Sequence, residues 1–274
     1  MMKWRKGKNF IFLSLLALSG IAVLIPLILI IVYVIKMGAS SLNWQFLTHL
    51  PRPVGESGGG MAHAIVGTLY LVGIGGIFAI PIGIILGTYL AELGRGWIAR
   101  FLHQAIDLFT GIPSIVIGIF AYVLVVVPLK HFSALAGGVA LGIIILPVVT
   151  KTTEEILKLV PNTIREAGLA LGLNRSKILW HILIKGNRSA IFTGVILAIS
   201  RAAGETAPLL FTAFGNNYFS SDLMRPMASL PVQIYTYAIS PFAEWQRQAW
   251  AGSFVLIMLV LGLNLTTRFL MRPK

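Results

Sequence analysis

The chain contains no cysteine among its 274 residues. That excludes a disulfide framework, a thiolate nucleophile and any Cys-based metal site. Charge is also scarce: 11% of residues are Asp, Glu, Lys or Arg, where soluble domains carry roughly 25%. Acidic residues are the scarcest, nine against 22 basic ones. No Gly-x4-Gly-Lys-Ser/Thr run occurs, so the chain lacks a P-loop, and any nucleotide hydrolysis it depends on must come from another chain. His49, His63, His131 and His181 show no ligand spacing, and no metal site is expected. There is no internal repeat of the kind secondary transporters show. Long linkers and low-complexity tracts are also missing, so residues 1–274 are read as a single domain.

What the chain has instead is apolar sequence. Hydrophobic residues make up 57%, and the mean hydropathy is +0.86. Six runs are long enough, or nearly so, to cross a hydrocarbon core that needs about 20 helical residues. They are Phe10–Ile35, Ala64–Leu90, Ile106–Val127, Ser133–Val149, Ser189–Phe211 and Ala249–Leu270, the fourth being short. The fold class is therefore all-α, a membrane protein of six transmembrane helices. The first run is too long for a signal-peptide core and lacks a small-residue cleavage site, so it is read as an uncleaved span. Small residues spaced for close helix packing recur, as Gly83/Gly87 and Gly138/Gly142.

The net charge of +13 does not mark a nucleic-acid partner, because no basic patch is interleaved with aromatics. The basic residues lie between the apolar runs, as orientation charges beside membrane lipid. Sixteen Lys and Arg fall on one side: the N-terminus, 91–105, 150–188 and the C-terminus. Five fall on the other: Lys36, Arg52, Lys130, Arg225 and Arg247. This places both termini in the cytoplasm and makes 150–188 the largest cytoplasmic loop. Asp107 and His103, near the third run, are read as solvated interface residues, with pairing to loop cations or a pore role as alternatives.

Arg201 and Glu205 interrupt the fifth run. Ionisable groups in a bilayer cost about 2.5–3.5 kcal/mol each on insertion scales and mark function by default. On a continuous helix Gly194, Ala198, Arg201, Glu205 and Pro208 share one stripe. One alternative is an ion pair that braces the bundle. The other is a polar path for an anion, with a guanidinium donating to it, Glu205 limiting the hold and the Thr206 hydroxyl assisting. In the loop, Thr163 and Glu166 have capping-box spacing, Gly172 marks a turn, and Asn174 or Ser176 can cap a second helix to about Ile184. That helix would turn Ile178, Leu179, Ile182 and Leu183 to the bundle and Lys177 and Lys185 to water. From the residues alone, Glu166 could be no more than a cap.

The loop also resembles the Glu-Ala-Ala-x3-Gly-x9-Ile-x-Leu-Pro signature of permease subunits of binding-protein-dependent ABC importers. Glu166, Ala167, Gly172 and Ile182 fall at the right intervals, while Gly168 replaces Ala and Ile184-Lys185 replaces Leu-Pro. Further segments resemble phosphate importer permeases of the PstA type: Ala64-Ile-Val-Gly-Thr-Leu-Tyr, Tyr89-Leu-Ala-Glu92, Gly111-Ile-Pro-Ser, Gly204-Glu-Thr-Ala-Pro-Leu-Leu-Phe-Thr212 and Leu230-Pro-Val-Gln-Ile-Tyr235. The resemblance implies a type I importer permease of MetI-like architecture in the bacterial plasma (inner) membrane. It implies a coupling helix carrying Glu166, Ala167, Gly168, Gly172 and Ile182 that docks on an ATPase. The implied partners are a PstC-like permease, two ATPase copies that use ATP and Mg, and an extracytoplasmic phosphate-binding protein. This chain would bind no cofactor and do no covalent chemistry. Other oxyanions (sulfate, molybdate, tungstate) and, further off, a secondary transporter are the alternatives. A lipid-phosphate enzyme would need an Arg, His and Asp or Ser cluster at one interface, which the sequence lacks.

Overall fold

The computed structural model describes residues 2–54, 56 and 58–270. Of the basic residues counted for orientation, the side chains of Lys3 and Arg268 and the whole of Arg272 and Lys274 lie outside the described residues. The helices run in the order α1 (Met2–Ser41), α2 (Trp44–Thr48), α3 (Ala62–Glu92), α4 (Trp97–Gly111), α5 (Ser114–Leu129), α6 (Ala134–Lys158) and α7 (Asn162–Ala170). They continue with α8 (Arg175–Ile184), α9 (Arg188–Ala203), α10 (Ala207–Leu210), α11 (Leu230–Ala238) and α12 (Ala243–Leu270). Among the described residues, α1, α3, α6 and α12 are each long and apolar enough to cross a membrane. The bent pairs α4–α5 and α8–α9 bring the number to six if each is one span.

The third, fourth and fifth spans differ from their sequence expectation, the fifth at the site it carries. The third, expected over Ile106–Val127, is divided by a 107° bend, with Ile106 and Asp107 still in α4. Pro113 causes the division: it forces Ile112 out of the helical region (φ −68°, ψ 132°). The fourth, expected to be short, is a 25-residue helix that runs on to Lys158. Its last turns are polar, so hydropathy ended the span at Val149 while the backbone did not. The Ser133 Oγ opens this helix by accepting the Ala136 N–H at 3.1 Å.

The centre of the bundle is the crossing of α3 and α6. A Cβ on Gly75 would lie 2.8 Å from the Gly138 carbonyl oxygen, and one on Gly87 would lie 2.5 Å from that of Thr150. The glycines spaced for packing thus do meet a neighbouring helix, and the two backbones touch along about three turns. Around this crossing Leu71, Leu141, Ile145, Val195, Ala198 and Leu209 join α3, α6, α9 and α10 in one buried core. The α1 helix stands outside it. It packs along α12, with Tyr33 edge-on to Trp250 at 5.0 Å, and leaves most of its apolar side chains exposed.

The loop expected to be cytoplasmic holds two short helices, as read from the sequence, but its first cap differs. Pro161, in extended backbone, takes the N-cap position of α7 without a side-chain cap bond. Thr163 is thereby moved inside the first turn, and the Thr163–Glu166 capping box does not form. Gly172 turns the chain with φ +77°, a left-handed conformation that favours glycine. The Asn174 Oδ1 then caps α8 by accepting the Lys177 N–H at 2.8 Å. The helix is π-wound over Ile178–Ile184. Ile178 and Leu183 are buried, Leu179 and Ile182 half-buried, and Lys177 and Lys185 exposed, matching the amphipathic expectation.

Candidate translocation path and coupling surface

The fifth span, expected as one helix over Ser189–Phe211, breaks at its charges. The α9 helix has 16 residues and ends at Ala203, spanning about 24 Å at 1.5 Å per residue. A hydrocarbon core is about 30 Å thick, so α9 alone falls short of a full crossing. Pro208 lacks an N–H to offer the Gly204 carbonyl four residues back, and its ring would clash there. Gly204 and Glu205 therefore close α9 with tight-turn bonds to the carbonyls of Arg201 (3.1 Å) and Ala202 (3.2 Å). The four-residue α10 follows.

Consequently Arg201 and Glu205 do not share a continuous helical face, and the projected stripe stops at Arg201. Gly194 and Ala198 are buried, with Gly194 seated against Thr152 of α6. Arg201 lies in the last turn of α9, where its charge faces unsatisfied carbonyls. Half of its side chain is exposed, and its Nε is 3.9 Å from Oε1 of the mostly buried Glu205. That separation exceeds a hydrogen bond, so the pair is close without being locked. Thr206 is half-buried and uses its carbonyl to accept from Leu209 (3.1 Å) and Leu210 (3.2 Å). Pro208 presses on α5 so closely that a Cβ on Gly118 would lie 2.5 Å from its Cα. Beyond Leu210 a cleft of about 790 Å³ opens, lined by Arg52, Asn216, Asn217, Ser229 and Gln233 among others. Irregular backbone at membrane depth is tolerated where it is buried in protein or lines a wet cavity. Here one cation and one carboxylate border such a break.

The loop residues divide between two faces of α7. Glu166 is exposed and makes no ion pair or hydrogen bond among the described residues, and Ala167 and Gly172 are exposed beside it. Gly168 is buried: a Cβ there would lie 3.0 Å from Ile178 Cγ1 and 3.3 Å from Ile182 Cδ1. Glycine in place of the signature's alanine is thus a packing feature, letting α7 lie on α8 and seating Ile182 against it.

Sequence reasoning missed the polar fasteners of this region. Arg165 of α7 reaches Glu92, the last residue of α3 and 73 positions away. Its Nε donates to both carboxylate oxygens at 3.1 and 2.9 Å, and one terminal nitrogen bonds the same carboxylate. The other nitrogen contacts include the carbonyls of Leu157 (2.9 Å) and Val160 (2.5 Å), at the end of α6. Both side chains are largely buried, at 19% and 10% exposure. The Glu92 carboxylate raises the Arg165 pKa above its ordinary value, first by hydrogen bonding. Removing one member of a buried pair typically costs about 3–5 kcal/mol. The signal was present in Tyr89-Leu-Ala-Glu92, an acid closing an apolar span, and in the Arg beside Glu166. A second fastener ties α4 to α6, through Lys151 Nζ donating to Asp107 Oδ1 at 2.7 Å and His103 Nε2 lying 3.0 Å from the buried Glu154. Asp107 is exposed and His103 partly so, as interface residues would be; Asp107 also meets a loop cation, Lys151, while His103 meets a carboxylate rather than a cation. Among the described residues, no three His, Asp or Glu converge as a metal-ligand set.

The pattern of the family described as "Binding-protein-dependent transport system inner membrane component" matches residues 79–272. The chain belongs to this family. Curated relatives of the permease include the "Phosphate transport system permease protein PstA" of Yersinia pestis. It is 43% identical over 272 residues, covering 99% of this chain and 92% of that protein. The protein of the same name from Haemophilus influenzae is 42% identical, covering 99% and 96%. A "Probable phosphate transport system permease protein PstA" of Methanocaldococcus jannaschii is 32% identical, covering 98% and 95%. Among solved structures, the permease fold matches a chain of the MetNI methionine ABC transporter with TM-score 0.65 at 17% identity, covering 77% of this chain and 94% of that one. A chain of a bacterial alginate ABC transporter matches with TM-score 0.68 at 13% identity, covering 97% of both. The permease is thus a multi-pass inner-membrane component of MetI-type importer fold.

Proposed function

We propose that this permease forms one half of the phosphate path of an ATP-driven importer. The observation that carries the reading is the likeness, at 42–43% identity over 99% of this chain, to proteins named as phosphate transport permeases. The broken fifth span suits the task. Phosphate is an anion near neutral pH, and a guanidinium offers it paired hydrogen bonds. Arg201 has donors free for such a ligand because Glu205 stands 3.9 Å off. The same carboxylate repels the anion and keeps the site from becoming a trap, which a conducting path requires. The Thr206 hydroxyl supplies a further donor.

The second half of the path would come from a PstC-like permease. Two ATPase copies would hydrolyse ATP with Mg, and an extracytoplasmic phosphate-binding protein would deliver the ion. Both termini face the cytoplasm, α7 docks on an ATPase through Glu166, and this chain performs no bond chemistry. ATP-driven closure of the ATPases pulls α7 and opens the path outward; hydrolysis restores the inward-open state. Co-purification on a tag placed on this chain tests the assembly. The expected complex holds one copy of this permease, one of a second permease and two of an ATPase. A chain that purifies alone and still transports without ATP would contradict the reading.

A further inference from the structure

We propose that the Arg165–Glu92 pair is a closed joint carrying movement of α7 directly into the α3–α6 crossing. This rests on the reading that α7 is the ATPase-docking helix. Arg165 and Glu166 are adjacent, so they project about 100° apart around α7. Glu166 points to solvent, while Arg165 points inward and is fixed at three places: the Glu92 carboxylate and the carbonyls of Leu157 and Val160. One guanidinium therefore binds the cytoplasmic ends of both α3 and α6. Those two helices touch backbone to backbone at Gly75 and Gly87 and move as one body.

The covalent route from α7 to the Arg201 helix is longer and softer. It passes the Gly172 turn, the π-wound α8 and a 69° bend before α9. A push entering through Arg165 bypasses all three. It reaches α9 sideways, where Gly194 is seated against Thr152 of α6. A bidentate guanidinium–carboxylate pair resists both rotation and sliding, and its burial keeps water from competing. The joint stays closed while the body it belongs to swings.

The absence of native cysteine allows a direct test in the complete complex, reconstituted in vesicles. The readout is phosphate transported per ATP hydrolysed, with ATPase co-purification as the check on assembly. Arg165→Ala is expected to lower that ratio at least tenfold with the ATPase still bound, and Arg165→Lys, which keeps the charge and can still donate to the Glu92 carboxylate and a carbonyl, to recover part of it. The unlinked double variant Glu92→Cys/Arg165→Cys is expected to be as uncoupled as Arg165→Ala, and linking the two cysteines with a short bifunctional thiol reagent to restore coupled transport, because a closed joint never needs to open. This arm decides the matter even if Arg165→Ala fails to assemble. A wild-type ratio in Arg165→Ala, or a linked pair no better coupled than the unlinked one, would overturn the joint. The docking reading fails separately, if Glu166→Ala couples normally.

Discussion

Arg201 combines a cost with an opportunity. A guanidinium at membrane depth is expensive unless something uses it, and its one near partner, Glu205, is held at 3.9 Å. Its side chain is half exposed, so truncation leaves no buried void and the bundle should survive. Arg201→Ala is therefore expected to give a complex that assembles normally but loses uptake. The loss of charge-assisted hydrogen bonds worth roughly 1.5–3 kcal/mol corresponds to about a ten- to hundredfold fall in rate. Radiolabelled phosphate uptake in membrane vesicles measures it. Uptake at the wild-type rate would reduce Arg201 to a brace. The contrast with Arg165 is instructive, since both are arginines near an acid. One is buried, bidentate and shared with backbone carbonyls; the other is exposed and loosely held.

At the scale of the helices, the α3–α6 crossing depends on glycine. A side chain at Gly87 would strike the Thr150 carbonyl, which belongs to helical backbone and cannot swing aside. Gly87→Val is expected to destabilise the permease by roughly 1–3 kcal/mol, the usual cost of overpacking, seen as a lowered thermal midpoint in detergent. Gly73→Ala is the control, because nothing lies within 4 Å of a Cβ there; equal effects at the two sites would refute the argument. These packing glycines were readable from spacing, as were the positions of the spans, the Gly172 turn and the Asn174 cap, because each depends on neighbours in sequence. The break at Gly204 was hidden because hydropathy averages over the whole apolar run, although Pro208, which causes it, foretold it. The polar end of α6 was hidden because hydropathy tracks apolarity rather than helicity. The Arg165–Glu92 contact spans 73 positions, a distance over which a local pattern carries no information. The failed capping box shows the reverse error, a good local motif overruled by the proline before it.

For the whole molecule, the helices form a central body of α3, α6, α9 and α10, with α1 and α12 beside it and a cleft lined by Arg52, Leu210, Asn216 and Asn217 next to the break. By the charge count, the expected orientation of this body places 150–188 in the cytoplasm. Single cysteines test that orientation cleanly in a chain that has none. In spheroplasts an impermeant maleimide is expected to label Asn217→Cys at once and Lys177→Cys only after permeabilisation; the opposite order would invert the topology. The central claim is that the path of which this body forms half carries phosphate. Its most direct test is ATP-driven uptake of radiolabelled phosphate by vesicles holding the complete complex, in competition with excess unlabelled phosphate, sulfate or molybdate. The account predicts that unlabelled phosphate abolishes the signal and that sulfate and molybdate leave it unchanged. Suppression by sulfate or molybdate, or accumulation that ignores ATP, would contradict it.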